Sequence, residues 1–117
     1  MTKAFKILAF QASTLVAGIL LMSVVADMAR AVPAPPAAAV TIDNFTFKAP
    51  VVTIKAGTTV TWTNGDDIPH TVVSRDKLFA SPPLDTDQQF AYRFATPGTY
   101  RYYCSIHPVM IGQIIVQ

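Results

Sequence analysis

The chain has 117 residues, 51% of them hydrophobic and 14% charged, with a formal net charge of +2. Beyond Ala31 six basic residues face six acidic ones, so no basic stripe points to nucleic acid and no block of like charge forms a tail. Cys104 is the single cysteine, which excludes a disulfide within the chain.

Lys3 and Lys6 open the sequence, apolar residues follow, densest over 15–26 (LVAGILLMSVVA), and Ala29-Arg30-Ala31 offers a small-x-small cleavage site. In that order these features read as a secretory signal over 1–31, with 24–26 and 37–39 as rival cut sites. An uncleaved anchor is the competing reading, because residues 7–26 are about long enough to span a bilayer. Gln11, Ser13 and Thr14 interrupt that run and favour cleavage. Residues 32–39 (VPAPPAAA) read as an extended Pro/Ala tether, with no side chain large enough to build a core.

The folded domain is expected over 40–117. A domain this short buries only about 60% of its unfolded surface and gains from a staple. In an exported domain without a disulfide, that staple points to a metal.

Residues 40–47 (VTIDNFTF) alternate but slip phase between Ile42 and Phe45, which predicts a bulge or bend near Asp43-Asn44. Residues 52–55 form a short strand, ended by Ala56-Gly57. Residues 59–64 (TVTWTN) put Val60 and Trp62 on one face and three threonines on the other, the period of a half-buried strand. The loop 65–69 (GDDIP) leads into an expected strand over 70–74 (HTVVS). Residues 75–89, with Pro82-Pro83, read as a long surface connection.

Phe90, Tyr92 and Phe94 share a face; Thr96-Pro97-Gly98 turns the chain, and Tyr100, Tyr102 and Cys104 continue the alternation. Residues 112–116 (GQIIV) make a final strand. Trp62, Phe94, Tyr100 and Tyr102 are core candidates. Seven or so short strands predict an all-β, two-sheet β-sandwich.

After the leader the soft metal-ligand inventory is Cys104, His70, His107 and Met110, three of them inside YCSIHPVM (103–110). Ligands at i, i+3 and i+6 also suit one face of a helix, but Pro108 and the strand-like flanks favour a tight loop curled around an ion. Two imidazoles and a thiolate form a trigonal set, with a thioether as weak axial contact. That mixture sits between the preferences of Cu(I) and Cu(II), so little rearrangement accompanies electron transfer. Zinc structural sites use Cys and His without thioether.

VTWTN-GDDIPH-T followed by PGTYRYYC-SI-HPVM-IGQIIV resembles the blue-copper cupredoxins, and most of all their amicyanin branch, over about residues 40–117. The interval of two residues between His107 and Met110 matches that branch; plastocyanin and pseudoazurin carry a longer one. The resemblance implies an eight-stranded Greek-key sandwich and a periplasmic, monomeric shuttle for single electrons. It also implies one type 1 copper ion, Cu(I) or Cu(II), on a ring nitrogen of His70, the sulfur of Cys104, a ring nitrogen of His107 and, through a long bond, the sulfur of Met110. Family members often carry Asn after the first histidine, to pin the copper loop; here Thr71 stands there, with a hydroxyl able to do similar work. By the same resemblance Asn64 helps hold the His70 loop.

Transient redox protein partners are expected to dock near His107, on an apolar patch of Phe79, Pro82, Pro83, Leu84 and Val109. No nucleic acid is expected, and no membrane once the leader is removed. A copper carrier or storage protein with the same ligands is the alternative function. An enzyme is not expected, since a cysteine nucleophile needs an accessible thiolate beside a base and room for substrate.

Overall fold

The computed structural model of the chain describes residues 33–117, so the expected secretory signal over 1–31 lies outside the described residues. Eight strands follow in order: β1 Ala37–Asp43, β2 Thr46–Lys48, β3 Val51–Ile54, β4 Thr58–Asn64, β5 Val73–Ser74, β6 Gln89–Phe94, β7 Gly98–Tyr103 and β8 Ile111–Val116. They form two four-stranded sheets, ordered β2-β1-β4-β6 and β3-β8-β7-β5. Within them β1 runs parallel to β4 and β3 parallel to β8, while the remaining pairs are antiparallel. The all-β sandwich expected from the sequence is the fold found, and no helix occurs among the described residues.

Alternation decides which side chains fill the space between the sheets. In β4 every second residue is buried, placing Thr58, Val60, Trp62 and Asn64 inside. Trp62 is wholly buried, its ring 5.3 Å from Tyr102, 5.9 Å from Phe79, 6.0 Å from Phe90 and 6.3 Å from Phe94. Side chains of this size each contribute about 1.5–3 kcal/mol when fully buried, so this aromatic cluster is the principal source of cohesion. Tyr102 lays its ring on Gly112, its partner across β7 and β8, where a Cβ would collide with the phenol.

At four places the structure corrects or sharpens the sequence expectation, each with a local cause. Strand β1 begins at Ala37, three residues ahead of the Val40 start expected for the domain, because its backbone pairs with Thr59 and Val60 without needing a large side chain. Of the bulge or bend expected near Asp43-Asn44, the structure has the bend, a hairpin: Asp43 pairs with Thr46, and Asn44 and Phe45 form a two-residue turn with φ of 50° and 56°. Both angles are left-handed, as a primed hairpin turn requires, although Phe is an unusual occupant.

The expected strand over 70–74 shrinks to Val73–Ser74, with His70 bridging to Leu84 instead. The connection over 75–89 is not a plain surface loop. Val73 bridges to Ala80, and Phe79, Ser81 and Leu84 are buried. Its fold-back closes the end of the sandwich beside His70.

Candidate metal centre

His70 enters the site on a rigid frame. Pro69 precedes it, and its backbone exchanges two hydrogen bonds with Leu84, N–H to O at 3.1 Å and O from N–H at 2.7 Å. Asn64, at the end of β4 and fully buried, fixes the intervening loop. Its amide donates to the carbonyls of Ile68 and Leu84, both at 2.8 Å, and its Oδ1 accepts the Asp66 N–H at 2.9 Å. The role expected of Asn64 is therefore visible as three bonds from one side chain.

Cys104, His107 and Met110 come from the loop between β7 and β8. Two backbone bonds shape it: Cys104 N–H to Met110 O at 3.0 Å closes its base, and Met110 N–H to His107 O at 2.9 Å turns its tip. The loop is tight and non-helical, as Pro108 requires.

The two loops bring three side chains together. Cys104 Sγ lies 3.8 Å from His70 Nδ1 and 3.8 Å from His107 Nδ1, and the three atoms are within 4.8 Å of one another. Cys104 and His70 are completely buried, while His107 is part-buried and reaches the surface. Met110, the fourth expected ligand, is also buried, at 4% exposure, and closes the same loop.

These positions fit a metal ion. With a bond of about 2.3 Å to a thiolate and about 2.0 Å to an imidazole nitrogen, an ion in a trigonal plane separates sulfur from nitrogen by about 3.7 Å, close to the distances found. The sulfur is also ready to ligate. Burial pushes the Cys104 thiol up, but the Thr71 N–H, the His70 ring, and the backbone and ring of His107 outweigh it and hold the group at about 6, against an ordinary 9.0. A thiolate beside two imidazoles suits a soft, redox-active transition metal.

Thr71 joins the two loops. Its backbone N–H points at Cys104 Sγ at 3.4 Å, and its Oγ1 accepts the Ser105 N–H at 2.7 Å, with Ser105 Oγ also at 2.7 Å. The task expected of an Asn at this position is met by the threonine hydroxyl.

Two residues at the site carry no motif that singles them out in the sequence. Asp66 Oδ2 lies 2.7 Å from His70 Nε2, on the far side of the ring from Cys104. Burial raises the Asp66 carboxyl, but the N–H groups of Phe45 and Asn44 and the His70 ring bring it below the usual carboxylate range. The ring of Phe45 stands edge-on to both imidazoles, 5.5 Å from His70 and 5.1 Å from His107. An acid four residues before His70 was the available signal for Asp66; Phe45 had none.

The expected apolar patch needs correction. Phe79 and Leu84 are core residues, packed under the connection over 75–89, and not surface. Pro82, Pro83 and Val109 are exposed, Val109 at 90%. Beside His107, its chain neighbours Ile106, Pro108 and Val109 and the Phe45 ring 5.1 Å away are exposed or half-exposed apolar groups.

Known proteins share this arrangement of chain and loop. The family model described as copper binding proteins, plastocyanin/azurin family, matches residues 36–117. Amicyanin-alpha of Methylorubrum extorquens is 40% identical over 83 residues, which cover 67% of this chain and 70% of that protein. A solved structure of a novel purple cupredoxin from Nitrosopumilus maritimus is similar with a TM-score of 0.66 at 38% identity, over 68% of this chain and 99% of that one. A reduced amicyanin variant is similar with a TM-score of 0.67 at 31% identity, over 76% of this chain and 89% of that one. The match spans every strand of the sandwich and both loops that carry the Cys–His–His cluster, so this chain is a member of the plastocyanin/azurin family of copper-binding proteins.

Proposed function

We propose that this protein carries single electrons between redox partners in the periplasm, using one type 1 copper ion held by His70 Nδ1, Cys104 Sγ and His107 Nδ1, with the Met110 sulfur as a weak axial ligand. The observation that carries this reading is the placement of one buried thiolate at 3.8 Å from each of two imidazole nitrogens that belong to separate loops. When bound, copper supplies a one-electron couple between Cu(II) and Cu(I).

The chain's own groups do the rest. The Leu84 bridge, the Asn64 amide and the Thr71 hydroxyl hold the two loops in register, so the ligands keep their positions when the ion changes charge. Burial of Cys104 and His70 keeps water from competing for the ion. His107 is the member of the trio that reaches the surface, and electrons pass through its ring. Phe45, Ile106, Pro108 and Val109 surround it as a small apolar docking area, of the size that transient redox contacts need.

The related proteins agree with this use: one is described as purple, another as reduced. Enclosure of the ligands disfavours the alternative of a carrier that must release its ion. Export under the signal over 1–31, and a monomeric state, belong to the same proposal.

The test adds Cu(II) to the purified protein and records visible and EPR spectra beside Cys104→Ser. Intense thiolate-to-copper absorption in the wild type, absent from the variant, supports the shuttle. A colourless protein that holds only exchangeable Cu(I) supports the carrier, and identical spectra for both proteins remove Cys104 from the site.

A further inference from the structure

We propose that Asp66 is a positioning residue for the copper site: one carboxylate aims the His70 ring and, at the same time, fixes Phe45 as a roof over both imidazoles. This rests on the copper reading above and assigns work to residues outside the ligand set.

Three donors converge on the two oxygens of Asp66. The Asn44 N–H meets Oδ1 at 2.6 Å, and the Phe45 N–H and His70 Nε2 meet Oδ2 at 2.9 Å and 2.7 Å. A carboxylate only accepts, so Nε2 must carry the hydrogen. Nδ1, the atom that faces Cys104 Sγ, is thereby the ring nitrogen left to ligate. The ring orientation needed for ligation is set before any ion arrives, and the acceptor's negative charge strengthens the ring as a donor.

The other two donors belong to the hairpin between β1 and β2. Successive N–H groups in a left-handed turn form a concavity that suits an anion, and Asp66 fills it from a loop 21 residues away. Glycine is the residue that tolerates such a backbone best, yet Phe45 stands there at φ of 56°. The strain has a visible return. Phe45 is 49% exposed; its ring is perpendicular to His70 and His107, at 87° to each, and lies within 5.5 Å of both imidazoles. Without that ring the edge of the site lies open to water and small anions. Asp66 thus joins two properties, ligand orientation and exclusion of solvent, in a single group.

The experiment compares the wild type with Asp66→Asn and Phe45→Ala, first metal-free and then loaded with Cu(II). In the metal-free protein, exchange of the His70 Nε2 hydrogen and of the Asn44 and Phe45 amides is followed by NMR. An amide at position 66 offers one acceptor oxygen instead of two, so exchange at one or more of the three is expected to quicken at least tenfold. In the loaded protein, Asp66→Asn is expected to raise the midpoint potential, because a negative charge that favours Cu(II) has gone. Both variants are expected to change colour on addition of azide at concentrations that leave the wild type unaltered.

Unchanged exchange and an unchanged potential in Asp66→Asn overturn the positioning role, and azide resistance in Phe45→Ala overturns the roof. Should Asp66→Asn fail to fold, Phe45→Ala with azide still decides the roof, and Asp66→Glu, which restores both the charge and the second acceptor, decides the carboxylate by its exchange rates. Failure of the wild type to take up copper sinks the copper reading, whereas the metal-free exchange measurements judge Asp66 independently.

Discussion

Thr71 Oγ1 accepts the backbone N–H of Ser105 at 2.7 Å, linking the loop that carries His70 to the loop that carries Cys104. No strand pairing joins these two loops at that point, so the hydroxyl is a direct polar tie between them, beside the Thr71 N–H that points at Cys104 Sγ at 3.4 Å. Thr71→Val keeps the shape and removes the tie. The metal-free variant should lose about 1 kcal/mol in urea denaturation, since a part-buried N–H then lacks its partner. Thr71→Ser should retain most of the wild-type stability, and equal losses in both variants would show that packing, not the hydroxyl, is at work.

Asn64 presents a larger stake. Its side chain makes three hydrogen bonds from a fully buried position. Asn64→Ala strands the Ile68 carbonyl and the Asp66 N–H and takes from Leu84 O one of its two donors, and the expected cost is about 2–4 kcal/mol in chemical denaturation. Copper affinity should fall as well, because Leu84 O also accepts the His70 N–H.

Cys104 makes the stability of the metal-free protein depend on pH. Burial raises its thiol, but hydrogen bonds from Thr71, His70 and His107 prevail and leave it at about 6. The folded value lies below the unfolded one, so the thiolate favours the fold. That contribution is complete above about pH 9, declines as pH falls, and is gone below about pH 6. Melting temperature should therefore rise with pH across this window in the metal-free wild type. Cys104→Ser should flatten that rise; a slope that survives the substitution would assign it to another group.

Gly112 is required by its neighbour across the sheet. A Cβ at this buried position runs into the ring of Tyr102. Gly112→Ala should cost about 1–3 kcal/mol by overpacking, read from the denaturation midpoint. Tyr102→Phe should not relieve it, because ring carbons as well as the hydroxyl block the space.

The parts of this molecule that were legible in its sequence are those whose information is local. Cys104, His107 and Met110 lie within one loop, so their spacing can be read in a single window of sequence. Trp62 and Tyr102 follow the period of two that any half-buried strand obeys. The bend at Asn44-Phe45 could not be told from a bulge in the sequence, because its second turn residue is Phe where the recognisable hairpin signal is Gly. Phe79 and Leu84 sit among prolines and polar residues, so their burial emerges only when the connection folds back onto the end of the sandwich. The bond between Asp66 and the hairpin is a meeting of distant segments, which no window of sequence contains.

Strand direction has a practical outcome. Strand β1 runs from Ala37 toward the hairpin that Asp66 grips, and β8 runs away from Met110 to end at Val116. At about 3.3 Å per residue, β1 and β8 each extend about 20 Å, so both Ala37 and Val116 lie roughly a strand's length from the copper pole. A reporter, a surface linker or a lipid attached beside Ala37 or Val116 would leave the His107 face pointing outward, free to meet whatever approaches it.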